Sequence, residues 1–253
     1  MISNRSLILL VPLAAYILLQ IFHANPKSIY IVTFLLLLLF YASVRKLVYG
    51  GTSGEKVIDF ILLPLYFTIG LGVFSSIASS WKLVQFLFVL EAIFLYLYYR
   101  LIYYFLIKID SYQTGSLAEF SSQSNLIAFY FLATSMYGLQ SFLNPPMWIL
   151  LLFVMVVAGM IAYQMAMVNG IDGKRGIFYI LLTCLILSEL SWCLSFMTLS
   201  YYVSGLVLTV LYFVLINFIR FYLIDDLSKQ LVRNYIIFGV LSILAVLLTS
   251  NWL

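Results

Sequence analysis

Long, uninterrupted apolar runs dominate this sequence, and they restrict its fold more than any other feature. Each run is about as long as a helix that crosses a bilayer, and short polar turns separate the runs. A spanning segment must satisfy its backbone polar groups internally, so we expect each run to be helical. A membrane β-barrel would instead alternate apolar and polar residues. The nine predicted spans are 6–21, 28–44, 57–78, 83–106, 125–142, 147–168, 177–196, 201–223 and 234–249.

The composition supports lipid as the surrounding solvent. Hydrophobic residues make up 65% of the 253-residue chain and charged residues only 9%. A soluble domain typically has about 25% charged residues, so this chain has too few to cover a soluble surface. We therefore predict an all-α polytopic transmembrane helix bundle in which residues 1–253 form a single integral-membrane domain. Eight spans are the alternative if the first or last run lies flat on the membrane.

The basic residues predict an orientation. With nine spans, eleven Lys and Arg residues fall on the side of the N-terminus, whereas only Lys27 and Lys82 fall on the other side. Cytoplasmic loops are enriched in Lys and Arg, so the N-terminus is predicted to be cytoplasmic and the C-terminus outside. The eleven residues are Arg5, Arg45, Lys46, Lys56, Arg100, Lys108, Lys174, Arg175, Arg220, Lys229 and Arg233.

Several function classes are disfavoured by what the sequence contains. The net charge of +4 is small and scattered, which does not indicate a nucleic-acid surface. The chain has a single histidine, His23, and neither a CxxC nor an HExxH motif, so we expect no metal and no cofactor. Cys184 and Cys193 lie nine residues apart in one predicted helix, about 13 Å along its axis, which is too far for a disulfide.

Two acids inside predicted spans are the main candidates for a functional site. Glu189 lies in the stretch I-L-S-E-L-S-W-C-L-S-F (186–196), and Glu91 lies in the fourth span at a similar predicted depth. Ionisable groups in hydrocarbon are costly and often functional, so we expect other spans to shield them. Two acids at matching depth could share a proton or a cation in one cavity. The alternative is that each is protonated or hydrogen-bonded to a neighbouring helix. Trp192 and Phe196 are predicted to lie on the same helix face as Glu189.

The polar neighbours of Glu189 favour packing over catalysis. Ser188, Ser191 and Ser195 share one helical face with Cys184, and no histidine lies near to activate a serine. Small residues at this spacing are typical of close helix contacts. Ala158, Ala162 and Ala166, beside Gly159, predict a similar contact in the sixth span.

Other polar candidates lie in and after the eighth span. Asn217 and Arg220 lie inside the span, where Arg220 is expected to extend to the interface or to meet a lipid phosphate. Asp225 and Asp226 follow it and invite comparison with aspartate-rich diphosphate sites that bind Mg²⁺. A second such motif is missing from the sequence, which favours a solvated turn.

The connection 107–124 is predicted as the longest polar loop, with at most a short surface helix around Leu117 and Phe120.

The C-terminal part of the chain carries a recognisable set of residues, namely E-x-x-W-x-x-x-F from Glu189, then Gly205, Tyr212, Arg233, Tyr235 and Trp252. In these residues it resembles an uncharacterised bacterial family of multi-pass membrane proteins. The resemblance covers about the last quarter to third of the chain and implies a bacterial inner-membrane location, with no assigned activity.

The sequence as a whole predicts a polytopic inner-membrane protein that serves as a non-catalytic component or scaffold. Its expected partners are the lipid bilayer and other membrane proteins, with no nucleic acid. The first alternative is a small proton- or cation-coupled transporter that uses Glu91 and Glu189. A weaker alternative is a membrane-embedded lipid-modifying enzyme that uses Asp225 and Asp226.

Overall fold

The computed structural model describes residues 5–50, 57–108, 111–168, 174–223 and 228–250. These ranges contain nine α-helices, one turn of 3-10 helix (Pro26–Ser28) and no β-strand. Each of the nine helical spans in these ranges is long and apolar enough to cross a membrane, which confirms the predicted bundle. The helices are α1 (Leu7–Ala24), α2 (Ile29–Gly50), α3 (Val57–Ile77), α4 (Trp81–Leu106), α5 (Ser116–Leu143), α6 (Met147–Val168), α7 (Lys174–Ser195), α8 (Tyr201–Leu223) and α9 (Lys229–Thr249).

The fifth helix starts well before its predicted position. The prediction of a polar loop through residue 124 is wrong from Ser116 onward, because α5 begins there. Gly115 has a φ of 84°, which glycine adopts without steric cost, and it precedes the first turn of the helix. Leu117 is buried, and the ring of Phe120 stacks on Phe94 with centroids 5.9 Å apart. This apolar anchoring explains why a mostly polar segment is helical.

The chain folds into two compact units, Met1–Ser124 and Asn125–Leu253. The organisation of residues 1–253 as a single domain stays a prediction. In the first unit, α1 packs against α2 and α4, and α3 packs against the same two helices. Aromatic side chains fill much of this core, where Phe67 of α3 stacks on Phe94 of α4 at 3.9 Å. The four helices therefore enclose a dense apolar interior.

In the second unit, α5 contacts three other helices. Residues 131–138 of α5 are all buried, as expected for a helix with neighbours on several sides. Its contacts are Asn125–Gln164 to α6, Tyr137–Ser191 to α7, and Phe129–Tyr212 to α8. α5 therefore packs against α6, α7 and α8 within this unit.

Small residues bring α6 and α7 close together. Ala158, Ala162 and Ala166 of α6 are buried, which confirms the predicted contact face. A Cβ atom added to Gly159 would lie only 3.3 Å from the Sγ atom of Cys184 on α7. In lipid, where apolar association has little driving force, close packing of this kind stabilises helix pairs.

The last helix has much less burial. α9 packs mainly against α8, and Gly239 is its buried residue. A Cβ atom added there would lie 2.8 Å from Cγ2 of Val214. Most other apolar side chains of α9 are exposed, so this helix is attached to the second unit by one narrow face.

Replacing Gly205 with alanine is expected to lower the free energy of unfolding, because the new Cβ would overlap with Thr134 of α5. It would lie 2.7 Å from the α-carbon and 2.8 Å from the backbone N of Thr134, and backbone atoms cannot rotate away. Overpacking typically costs about 1–3 kcal/mol. Alanine regains roughly 1 kcal/mol over glycine inside a helix. Thermal unfolding of the purified protein in detergent measures the net loss.

Gly72→Ala in α3 is the matched control, since an added Cβ there meets no atom within 4 Å. This variant should unfold at the wild-type temperature or above it. Equal losses in the two variants would contradict the close approach of α5 and α8.

Candidate functional site

The carboxyl group of Glu91 is buried inside the first unit. Glu91 lies ten residues into α4, about 15 Å from the start of the helix, and is only 1% exposed. Thr68 of α3 lies beside it. Among the described residues, neither carboxyl oxygen has a hydrogen-bond partner, and the Thr68 hydroxyl has none either. Leaving a buried polar group unsatisfied costs about 1–3 kcal/mol, so this carboxyl does not stabilise the fold through such a bond.

Hydrogen-bonded polar pairs flank Glu91 along the unit. On one side, Gln20 Nε2 of α1 donates to Gln85 Oε1 of α4 at 2.6 Å. On the other, the hydroxyl oxygens of Ser43 and Tyr99 are 2.7 Å apart. Glu91 lies six residues after Gln85 and eight before Tyr99, so polar groups occur at three depths separated by about 9 to 12 Å.

Glu189 has a different environment, because its side chain is exposed on α7. The expectation that other spans shield it is wrong for the described part of the chain. Trp192 and Phe196, which are spaced to share the helix face of Glu189, are also exposed, and their ring centroids lie 6.0 Å apart. Glu91 belongs to the first unit and Glu189 to the second. A proton or cation shared between them stays a prediction.

Of the three serines of α7, Ser188 and Ser191 are buried and Ser195 is half-buried. Ser191 is fully buried, and its Oγ atom accepts a hydrogen bond of 3.1 Å from the Tyr137 hydroxyl of α5. Ser188 donates to the carbonyl oxygen of Leu185 within its own helix. Ser195 lies 3.7 Å from the sulfur of Met147 on α6. These contacts agree with the packing interpretation of the stripe.

The polar residues of α8 make local contacts. Asn217 donates from Nδ2 to the carbonyl oxygen of Phe213 at 2.8 Å, within its own helix. Arg220 is half-buried near the end of α8, and its Nε atom has no hydrogen-bond partner among the described residues. Asp225 and Asp226 lie outside the described residues, so a diphosphate site and a lipid-modifying activity stay predictions.

The single histidine lies among aromatic rings. The ring centroid of His23 is 4.9 Å from that of Trp81 and 6.1 Å from that of Phe88. Over the described ranges, no group of three or more His, Cys, Asp or Glu side chains is placed to hold a metal ion.

An open polar cleft in the second unit was not predicted from the sequence. Gln140 and Asn144 line it at the end of α5, and Tyr201 and Ser204 line it at the start of α8. Two sequence features lie near it, namely the N-P-P motif from Asn144 and Ser195 of the α7 serine stripe. Because the other lining residues come from separate segments, only the tertiary structure brings them together.

Comparison with known protein families, curated proteins and solved structures gave no match. The resemblance of the C-terminal part to a bacterial multi-pass family therefore stays a prediction. What the fold establishes is an integral membrane protein with a buried carboxyl in one unit and an exposed carboxyl in the other.

Replacing Glu91 with methionine is expected to raise the thermal unfolding temperature. The variant removes an unsatisfied buried carboxyl and fills a similar volume with apolar atoms, a change of about 1–3 kcal/mol. Leu95→Ala, one turn away and fully buried, is the benchmark for core damage and should lower the temperature. A drop for Glu91→Met as large as that for Leu95→Ala would show that the carboxyl has a stabilising partner.

Proposed function

We propose that this chain is a non-catalytic component of a membrane assembly and that it binds another membrane protein through the exposed face of α7. The observation that carries this proposal is the exposed carboxyl of Glu189 on an otherwise apolar helix face. A bilayer gives such a group no partner, whereas a second helix can supply one.

The exposed face of α7 is a single stripe. Its residues recur at helical spacing from the first turns of the helix to its end, so they project from one side. Glu189 lies six residues before the end of α7, about 9 Å inside the span. The apolar residues of this stripe are Phe178, Leu181, Leu185, Trp192 and Phe196, and each is at least 49% exposed.

Charge complementarity favours a partner helix that carries a basic side chain at the depth of Glu189. A carboxylate at this depth costs a few kcal/mol in lipid, and a cation at hydrogen-bond distance offsets that cost. α7 ends on the predicted outer side of the membrane, where the described ranges contain only two basic residues, Lys27 in the turn before α2 and Lys82 in the first turn of α4. A second copy of the chain would therefore place another carboxyl, rather than a cation, against Glu189.

A synthetic transmembrane peptide tests this pairing directly. A Leu/Ala-rich helix with one arginine at the depth of Glu189 is expected to bind the full-length protein in bicelles, measured by energy transfer between fluorescent labels. The same peptide with leucine in place of arginine should bind at least about tenfold more weakly, since a charge-assisted hydrogen bond contributes about 1.5–3 kcal/mol. Glu189→Gln should remove most of this preference.

Glu119→Gln is the matched control, because Glu119 is an exposed acid in the first turn of α5. It should leave the preference for the arginine peptide unchanged. Equal binding of the two peptides to the wild-type protein would overturn the proposal. Light scattering tests whether the protein dimerises by itself. If the wild-type protein forms a dimer and the Glu189→Gln variant does not, the partner of the α7 face is a second copy of this chain instead of another membrane protein.

The location we propose is a bacterial inner (plasma) membrane with the N-terminus in the cytoplasm. Support for the orientation comes from eleven basic residues on one predicted side and two on the other. Support for a bacterial origin comes from the C-terminal resemblance alone.

A second candidate function is proton transfer through the first unit, and Glu91 is the observation that favours it. A buried carboxyl without a hydrogen-bond partner can take up and release a proton. The pairs Gln20–Gln85 and Ser43–Tyr99 provide polar groups above and below it. The separations of about 9 to 12 Å exceed a hydrogen bond, so transfer along this path requires water molecules between the groups.

Proton flux into proteoliposomes tests this candidate. A potassium diffusion potential set with valinomycin should acidify vesicles that contain the wild-type protein, and an enclosed pH-sensitive dye reports the flux. Glu91→Gln, which keeps the volume and removes the ionisable proton, should reduce the flux to that of empty vesicles. Glu119→Gln should retain it. Wild-type flux in the Glu91→Gln vesicles would exclude this role for the carboxyl.

A further inference from the structure

The open cleft in the second unit has the size of a ligand site. Its volume is about 410 Å³, and small-molecule sites typically measure about 300–1,000 Å³. The end of α5, the segment that follows α7 and the first turn of α8 form its walls. The cleft is independent of the exposed face of α7, since Leu194 and Ser195 line it from the opposite, less exposed side of that helix.

The lining is polar but uncharged. Seven of its ten residues carry a hydroxyl or an amide group, and none is Asp, Glu, Lys, Arg or His. An ionic ligand would therefore lose its hydration without meeting an opposite charge. A neutral ligand with several hydroxyl groups would meet donors and acceptors that match it.

Three of these polar groups have no hydrogen bond in the described part of the chain. They are the side-chain amides of Gln140 and Asn144 and the hydroxyl of Ser204. Ser204 is only 4% exposed, and it lines the cleft from the first turn of α8. An amide offers two donors and an acceptor, and a hydroxyl offers one donor and two lone pairs. A hydroxyl-rich ligand could use all of them.

The backbone at the rim keeps one of these amides in place. Asn144 has a φ of 45°, and its N–H group donates to the carbonyl oxygen of Gln140 at 3.0 Å, which ends α5. Glycine is the usual residue at this left-handed helix end, and asparagine tolerates it with modest strain. Asparagine, unlike glycine, supplies an amide to the cleft.

We infer that this cleft binds a neutral, polyhydroxylated group, namely a sugar or polyol. The amides of Gln140 and Asn144 and the hydroxyl of Ser204 are the proposed hydrogen-bonding groups. Tyr201 also lines the cleft, and an aromatic ring can pack against the carbon face of a sugar. The cleft lies at helix ends, where both a free sugar and the headgroup of a neutral glycolipid have access.

The test uses the full-length protein in nanodiscs of phosphatidylethanolamine, because sugar-based detergents would compete for the cleft. One arm adds free glucose or glycerol. A second arm incorporates a monoglucosyl diacylglycerol, and a third incorporates phosphatidylglycerol as a charged comparison. Thermal stabilisation of the protein, measured as a function of ligand concentration, gives the apparent Kd in each arm.

Stabilisation by the glycolipid alone identifies a lipid headgroup as the ligand, and stabilisation by glucose or glycerol as well identifies a soluble sugar or polyol. Gln140→Leu, Asn144→Gly and Ser204→Ala should each raise the apparent Kd by about tenfold, since each removes a hydrogen bond to the ligand. Asn144→Gly keeps the left-handed helix end while it removes the amide. Gln230→Leu, an exposed amide on α9, should leave the Kd unchanged.

The proposal is overturned if neither glycolipid, glucose nor glycerol stabilises the protein. It is also overturned if phosphatidylglycerol stabilises it equally, which would indicate a nonspecific lipid effect. Binding that the three cleft variants leave unchanged would place the ligand elsewhere on the chain. Each of these outcomes is independent of whether the α7 face binds another membrane protein.

Discussion

A polar group inside hydrocarbon has no water to bond with, and this constraint governs how the helices are arranged. Several serine and threonine side chains satisfy this constraint by donating a hydrogen bond within their own helix. The Thr183 hydroxyl donates to the carbonyl oxygen of Tyr179, and the Thr209 hydroxyl donates to that of Gly205. Other polar side chains satisfy the constraint by forming hydrogen bonds with a side chain of a neighbouring helix. The pairs that do so are Gln20–Gln85, Ser43–Tyr99, Asn125–Gln164 and Tyr137–Ser191. These bonds restrict the rotation of the helices that they join, because each bond requires its two side chains to face one another.

Two carboxyl groups depart from this pattern in opposite ways. Glu91 is enclosed by helices and still lacks a hydrogen-bond partner among the described residues, whereas the side chain of Glu189 is exposed on α7. A natural sequence keeps such costly groups when they have a use outside the packing of the fold. An enclosed acid suits the binding of a proton, and an acid on an open apolar face suits a contact with a second membrane protein. The two proposed functions therefore rest on different carboxyls and can be tested separately.

Close backbone approach is the second source of cohesion. Gly205 lies against Thr134, and Gly159 lies opposite Cys184, so α8 and α7 each contact a neighbour at a point where glycine contributes no side chain. Van der Waals contact of this kind compensates for the weak apolar driving force between helices in lipid. The cleft near Ser204 begins one residue before the tightest of these contacts. Its wall therefore includes a closely packed part of the second unit, which favours a preformed binding site.

The sequence by itself determined the solvent, the fold class and most helix bounds, because runs of apolar residues of spanning length have one stable arrangement in a bilayer. It also determined the packing faces of α6 and α7, since small residues at a spacing of four recur on one side of a helix. It placed the end of α2 six residues too early and the start of α9 five residues too late. It also failed at the start of α5, where the buried contacts of Leu117 and Phe120 outweigh a polar local composition. Only the tertiary structure decided that Glu91 is buried and Glu189 exposed, and only it assembled the cleft at Gln140, Asn144 and Ser204. The reason is that the sequence pattern gives the depth of a residue along its helix, while its neighbours depend on which helices pack beside it.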